Sequence, residues 1–80
     1  MPELSKVVGS NVRAERARHH WHQAELARRM NWTIGIVSQT ELAQRQITLN
    51  DVPKLCRALG VPFSDLVRGA DLEDLSALNL

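Results

Sequence analysis

The twenty residues from His22 to Glu41, HQAELARRMNWTIGIVSQTE, leave this chain little freedom in how it folds, because they encode two short helices with an abrupt turn between them. Leu26, Ala27 and Met30 recur at i, i+1, i+4, the spacing that puts apolar side chains on one helical face. Ala27 is small where two helices must cross closely. Asn31 follows at the point of reversal, and after glycine it is the residue that best tolerates a left-handed backbone. Trp32 returns toward the core. Thr33 has the side chain to cap a new helix, and Val37 faces inward four residues later. The expected unit is a helix, a turn and a second helix.

The rest of the chain reads as helical too. Eighty residues, 44% of them hydrophobic, suffice for one core. Apolar positions recur at helical spacing, and β-branched runs bounded by turn residues are absent, so the expected fold class is all-α with five helices. Pro2 and Glu3 lead into a first helix, about Leu4 to His19, with Leu4, Val8 and Val12 as its buried stripe. Trp21 anchors the loop before the second, about Gln23 to Met30; the third runs from about Ile34 to Leu42. The fourth, about Asn50 to Leu59, turns Val52, Leu55, Cys56 and Leu59 inward. Thr48 with Asp51 resembles a capping box, but Asn50 is the preferred cap because it places Pro53 in the first turn. Gly60 ends this helix, and Ser64 is expected to cap a short fifth helix through about Arg68. Residues 1–69 form the expected domain. Residues 70–80 form a tail whose Leu72, Leu75 and Leu78 have three readings: a sixth helix completing the core, a dimer surface, or a site for a different protein. The dimer surface is preferred.

Net charge is +1, yet its distribution is lopsided. Residues 1–45 carry seven Lys and Arg against four acids, and the remainder three against five, so the basic half contains the paired helices. One cysteine, Cys56, cannot form an internal disulfide. With no apolar run of membrane-spanning length and no leader-like segment, a reducing cytoplasm is the expected setting.

In register from Val8 to Val67 the chain resembles the lambda-repressor/Cro type of helix-turn-helix domain. The matching residues are Val8-Gly9, Val12-Arg13 and Arg16, then Gln23 to Ala27, then Thr33, Val37-Ser38 and Glu41. They continue with Arg45, Leu55 to Val61, Phe63 and Leu66-Val67. The resemblance implies a compact five-helix fold with the helix-turn-helix at helices two and three, and double-stranded DNA as partner. It implies an Arg16–Glu41 ion pair that orients the third helix. It places Thr33, Ile34, Gly35, Ser38 and Gln39 toward base edges in the major groove, and His22, Gln23, Arg45 and Gln46 near phosphates. Gln39 suits adenine, and Ile34 offers an apolar surface to a thymine methyl. Gly35 costs about 1 kcal/mol of helix propensity, for which close approach of DNA or relief of crowding by Trp32 are equal candidates. His22 stands where the family has a better capping residue. Ala43 stands where the family has glycine, and since alanine is strained in a left-handed conformation, an extension of the third helix to Ala43 or Gln44 is expected.

Other chemistries find less support. His19, His20 and His22 diverge around a helix end with no Cys pair or fixed carboxylate to complete a metal site, so none is expected. Cys56 reads as a buried thiol. No phosphate loop, carboxylate pair or Ser-His-Asp arrangement is visible, and neither an enzyme nor a cofactor is expected. The first functional expectation is a DNA-binding transcriptional regulator, a repressor acting as a homodimer on a near-palindromic site. The alternative is a protein-interaction module such as an antitoxin or adaptor, favoured by the modest charge, the Ile34-Gly35 edge and the leucine-bearing tail.

Overall fold

The computed structural model describes residues 3–80; Met1 and Pro2, and with them the expected role of Pro2, lie outside the described residues. The described residues form six helices and no strand: α1 Leu4–Arg18, α2 Gln23–Met30, α3 Ile34–Glu41, α4 Asp51–Leu59, α5 Phe63–Leu66 and α6 Leu72–Ala77. The all-α expectation holds, and the sixth helix is the addition. Helices α1 to α4 each turn an apolar stripe inward, and α5 with the residue after it adds Leu66 and Val67. Val8, Val12, Leu26, Ala27, Met30, Val37, Leu55 and Leu59 complete one cluster. Each fully buried leucine in it contributes about 1.5–3 kcal/mol.

Helix ends explain most differences from the expected boundaries. Five helices close in the same way: a residue just past the end takes a left-handed backbone, and the next N–H turns back to a carbonyl five residues earlier. His20, Asn31, Ala43, Gly60 and Asn79 hold the left-handed position, with φ between 57° and 70°. At α3 the Gln44 N–H reaches the Gln39 carbonyl at 2.7 Å and the Ala43 N–H reaches Thr40 at 3.2 Å. The expected extension of α3 through Ala43 or Gln44 therefore does not occur. Turning at Ala43 lets the Arg45 guanidinium reach the Thr40 hydroxyl (3.2 Å), the Asp51 carboxylate (3.4 Å) and the face of Trp32 (5.0 Å). These contacts outweigh a left-handed alanine, which costs about 1–2 kcal/mol. Replacing Ala43 with glycine should consequently stabilise the domain by about 1 kcal/mol, a rise of roughly 4–8 °C in the thermal midpoint followed by circular dichroism. An unchanged or lower midpoint would contradict the left-handed turn.

Helix α4 starts differently from the preferred reading. Asn50 makes no side-chain cap; instead the Thr48 Oγ1 accepts from the Asp51 N–H (3.2 Å) and the Asp51 Oδ2 accepts from the Thr48 N–H (2.9 Å). This reciprocal capping box satisfies two helix-start donors at once, which a lone Asn50 cap cannot do. Ser64 is likewise no cap: α5 begins at Phe63 after an uncapped Pro62 and ends at Leu66, two residues short of Arg68. The carbonyls of Leu66 and Arg68 are held by the Asn11 Nδ2 of α1, each at 2.9 Å.

In the tail, Asp71 caps α6 by accepting from the Glu73 N–H at 3.1 Å. Leu75 packs against the core, while Leu72 stays 80% exposed and Leu78 lies at the surface. Leu72, Leu75 and Leu78 thus face different surroundings.

Candidate nucleic-acid interface

Helix α3 is split by burial. Val37, Thr40 and Glu41 face the core, whereas Thr33, Ile34, Gly35 and Gln39 are exposed and Ser38 is half-buried. All five base-reading candidates therefore lie together on one accessible edge. Thr33 has a second duty: its Oγ1 accepts the Ile36 N–H at 3.1 Å and caps the helix, leaving its hydroxyl proton to donate outward. Gly35 has open space where a side chain would be. A Cβ there would meet only the Thr33 Oγ1, at 3.7 Å, so crowding by Trp32 is not the reason for glycine.

The orientation of α3 is set by one carboxylate. The Arg16 Nε and Nη2 donate to Glu41 at 2.6 and 3.1 Å, and the Arg16 Nη1 donates to the Trp21 carbonyl at 2.8 Å. The Glu41 side chain is 2% exposed and that of Arg16 15%. The hydrogen bond to Glu41 raises the Arg16 pKa above its ordinary value, against the lowering effect of partial burial. Geometrically this is the fork-to-carboxylate pair that the resemblance implies. Helix α1 can lie close enough to form it because Gly9 has no side chain: a Cβ there would overlap the Thr40 carbonyl oxygen and stand 3.0 Å from that of Glu41.

The phosphate candidates are less uniform. His22 and Gln46 are exposed, and His22 precedes α2 without making a side-chain cap. Gln23 is half-buried, and its Nε2 donates to the Glu41 Oε1 at 3.1 Å, which leaves one amide proton for an outside acceptor. Arg45 is largely committed to Trp32, Thr40 and Asp51. Two further arginines of the basic half are also paired internally. Arg28 and Arg29 both bind Glu25, which hydrogen bonding from Arg28 holds below the usual carboxylate pKa. Arg29 also lies 4.0 Å over Trp21, whose ring stacks on His19 at 4.2 Å. The His19 Nε2 is bound to the Leu59 carbonyl at 2.7 Å. Burial pushes the Cys56 thiol pKa up, which keeps it protonated rather than nucleophilic.

One residue of this edge escaped the sequence reading. Leu42 is 58% exposed and continues the line of Ile34 and Ser38 at i+8, a spacing that was available to find it.

Comparison with known proteins agrees with this geometry. No curated protein sequence matches the chain. Among solved structures, the clp gene regulator ClgR of Corynebacterium glutamicum superimposes with a TM-score of 0.77 at 25% identity, over 96% of this chain and 90% of that one. A second ClgR structure gives 0.77 at 26% identity, over 82% and 86% of the two chains. The hypothetical transcription factor NHTF from Neisseria gives a TM-score of 0.76 at 30% identity, over 95% of this chain and 85% of that one. The HTH_3 helix-turn-helix family model matches residues 12–66. With that match spanning more than half of its length, and with α2, α3 and the Arg16–Glu41 pair in place, the chain belongs to the lambda-repressor type of helix-turn-helix family.

Proposed function

We propose that this protein is a transcriptional regulator that reads double-stranded DNA with α3 in the major groove, acting as a homodimeric repressor on a near-palindromic site. The observation that carries the reading is the burial pattern of α3: one face is locked to the core and the other presents Thr33, Ile34, Gly35, Ser38 and Gln39. The family match supports DNA as the partner, and the similarity to ClgR and NHTF, named as a gene regulator and a transcription factor, supports regulation.

Gln39 offers the donor and acceptor pair that fits the adenine edge. Ile34, 53% exposed, offers a thymine methyl its apolar surface. Gly35 brings bare backbone to the groove wall. His22, Gln46 and the remaining amide proton of Gln23 are the phosphate contacts. Arg45 serves chiefly to hold the turn after α3, with its unshared N–H groups facing the backbone of the DNA. A cytoplasmic protein working at the nucleoid is the corresponding setting; no helix among the described residues is long and apolar enough to cross a membrane.

Selection from a random duplex pool at about 0.15 M salt, where non-specific binding is weak, tests the reading. Recovery of an inverted repeat with half-site centres about 10 base pairs apart is expected. On that site Gln39→Ala should lose about 1–3 kcal/mol of affinity while binding to unrelated DNA barely changes. Equal losses on both would remove Gln39 from the base-reading set. Recovery of no motif would favour a protein partner, the reading that exposed Ile34, Leu42 and Leu72 would then support.

A further inference from the structure

Arg45 is held by groups that do two different things. Its Nη1 donates to the Thr40 Oγ1 at 3.2 Å. That oxygen is itself fixed: the buried Thr40 hydroxyl gives its proton to the Ile36 carbonyl at 2.8 Å and keeps its lone pairs for Arg45. The guanidinium also lies 5.0 Å from the centroid of the Trp32 ring. These two contacts aim the side chain and leave its formal charge uncompensated. Asp51 does the opposite. Its Oδ2 stands 3.4 Å from the same Nη1, too far for a short hydrogen bond but close enough to offset much of the charge. The Arg45 side chain is 26% exposed and that of Asp51 12%, so salt screens this pair less than the exposed pairs of Glu25. Among the described residues, Nε and Nη2 of Arg45 meet no acceptor, which leaves that edge of the fork to a phosphate oxygen.

We propose that Asp51 is an internal brake on DNA binding: it lowers the positive charge that Arg45 presents to the phosphate backbone without setting where Arg45 points. The proposal rests on the reading above that Arg45 faces the DNA. A flexible surface acid would be displaced by an arriving phosphate. Asp51 stays, because the oxygen beside Arg45 also accepts from the Thr48 N–H at 2.9 Å and closes the capping box that starts α4. Its charge then opposes the same phosphate that Arg45 attracts. The effect is large for one residue, since of the four phosphate candidates His22, Gln23, Arg45 and Gln46 only Arg45 is permanently charged. Arg45 therefore contributes less than one full phosphate contact, whatever the DNA sequence.

The test is titration of the full chain against a mixed-sequence duplex of about 20 base pairs, followed by fluorescence anisotropy between about 0.05 and 0.2 M salt. Affinities are referred to the folded fraction given by circular dichroism. Asp51→Asn should bind about 3–10-fold tighter than the wild type near 0.1 M salt, and log affinity should fall more steeply with log salt by up to about 0.9, the increment of one phosphate. The gain should be equal on the site selected from the random pool, because phosphate contacts carry no sequence information. Asp51→Gln is the second neutral variant, since glutamine regularly closes a capping box and preserves the start of α4 where asparagine weakens it. Asp51→Glu restores the charge and should restore wild-type salt dependence. With Arg45→Gln in place, the gain from Asp51→Asn should shrink below about twofold. A residue that mattered only for folding would give a loss, never a gain with steeper salt dependence. Unchanged or weaker binding by the neutral variants, or a gain that survives Arg45→Gln undiminished, overturns the brake while the DNA reading stands. A wild type that binds neither duplex overturns the DNA reading and the brake with it.

Discussion

Glu41→Ala is expected to destabilise the domain by about 3–5 kcal/mol, because it leaves the charge of Arg16 largely buried without its partner. Two guanidinium bonds and the Gln23 amide bond end on this one carboxylate. After its removal only the Trp21 carbonyl still accepts from Arg16. An 80-residue domain has a total stability of about 4–12 kcal/mol, so the variant should be partly unfolded at ambient temperature or close to it. Urea denaturation followed by the fluorescence of Trp21 and Trp32 measures the loss. A cycle with Arg16→Met and the double variant separates the pair from its surroundings. The double variant should lose less than the two single losses combined, since no charge is then stranded. A loss below about 1 kcal/mol for Glu41→Ala would place the pair among ordinary surface bridges.

Gly9→Ala is the second large effect, and its sign runs against helix propensity. Inside a helix, alanine in place of glycine ordinarily gains about 1 kcal/mol. Here the new methyl would overlap the Thr40 carbonyl oxygen and press on that of Glu41. Both obstacles are backbone, so relief requires α1 and the end of α3 to move apart. We expect a net loss of about 3 kcal/mol, at the upper end of overpacking costs. The same movement would lengthen the Arg16–Glu41 bonds and tilt the recognition edge, so affinity for a selected operator should fall further than stability alone accounts for. Equilibrium denaturation and operator titration of the same preparation check both parts. A neutral or stabilising outcome would show that the α1–α3 contact relaxes freely.

What was legible in the sequence was whatever depends on local spacing. The apolar stripes of Leu26, Ala27 and Met30, the left-handed Asn31 and the Thr33 cap all follow from residues within one helical turn, and each is found. The Arg16–Glu41 pair spans 25 residues and came from the family pattern rather than from spacing. Features set by distant partners were misplaced or missed. Ala43 turns left-handed because Arg45, Trp32 and Asp51 make that turn favourable, which alanine alone would argue against. The Thr48 box displaced Asn50 because Asp51 closes it reciprocally. The role of Gly9 needs the position of Thr40, and the charge asymmetry overstated the free cations because Glu25, Glu41 and Asp51 engage them. On the candidate site, the base-reading edge came from the family pattern, and helical phase supplied only the inward Val37. The internal engagement of Gln23 and Arg45 was not legible.

The bond from Gln23 to Glu41 has a bearing on recognition itself. A free glutamine side chain samples many rotamers, and immobilising it costs about 1.5–2 kcal/mol. Gln23 is already immobilised on a carboxylate that Arg16 holds still, with one amide proton left over. If that proton meets a phosphate, the entropy of fixing the side chain has been lost during folding and is not lost again on DNA. The carboxylate that aims α3 thereby also prepares the first residue of α2, so the two halves of the motif arrive at the double helix as one rigid template.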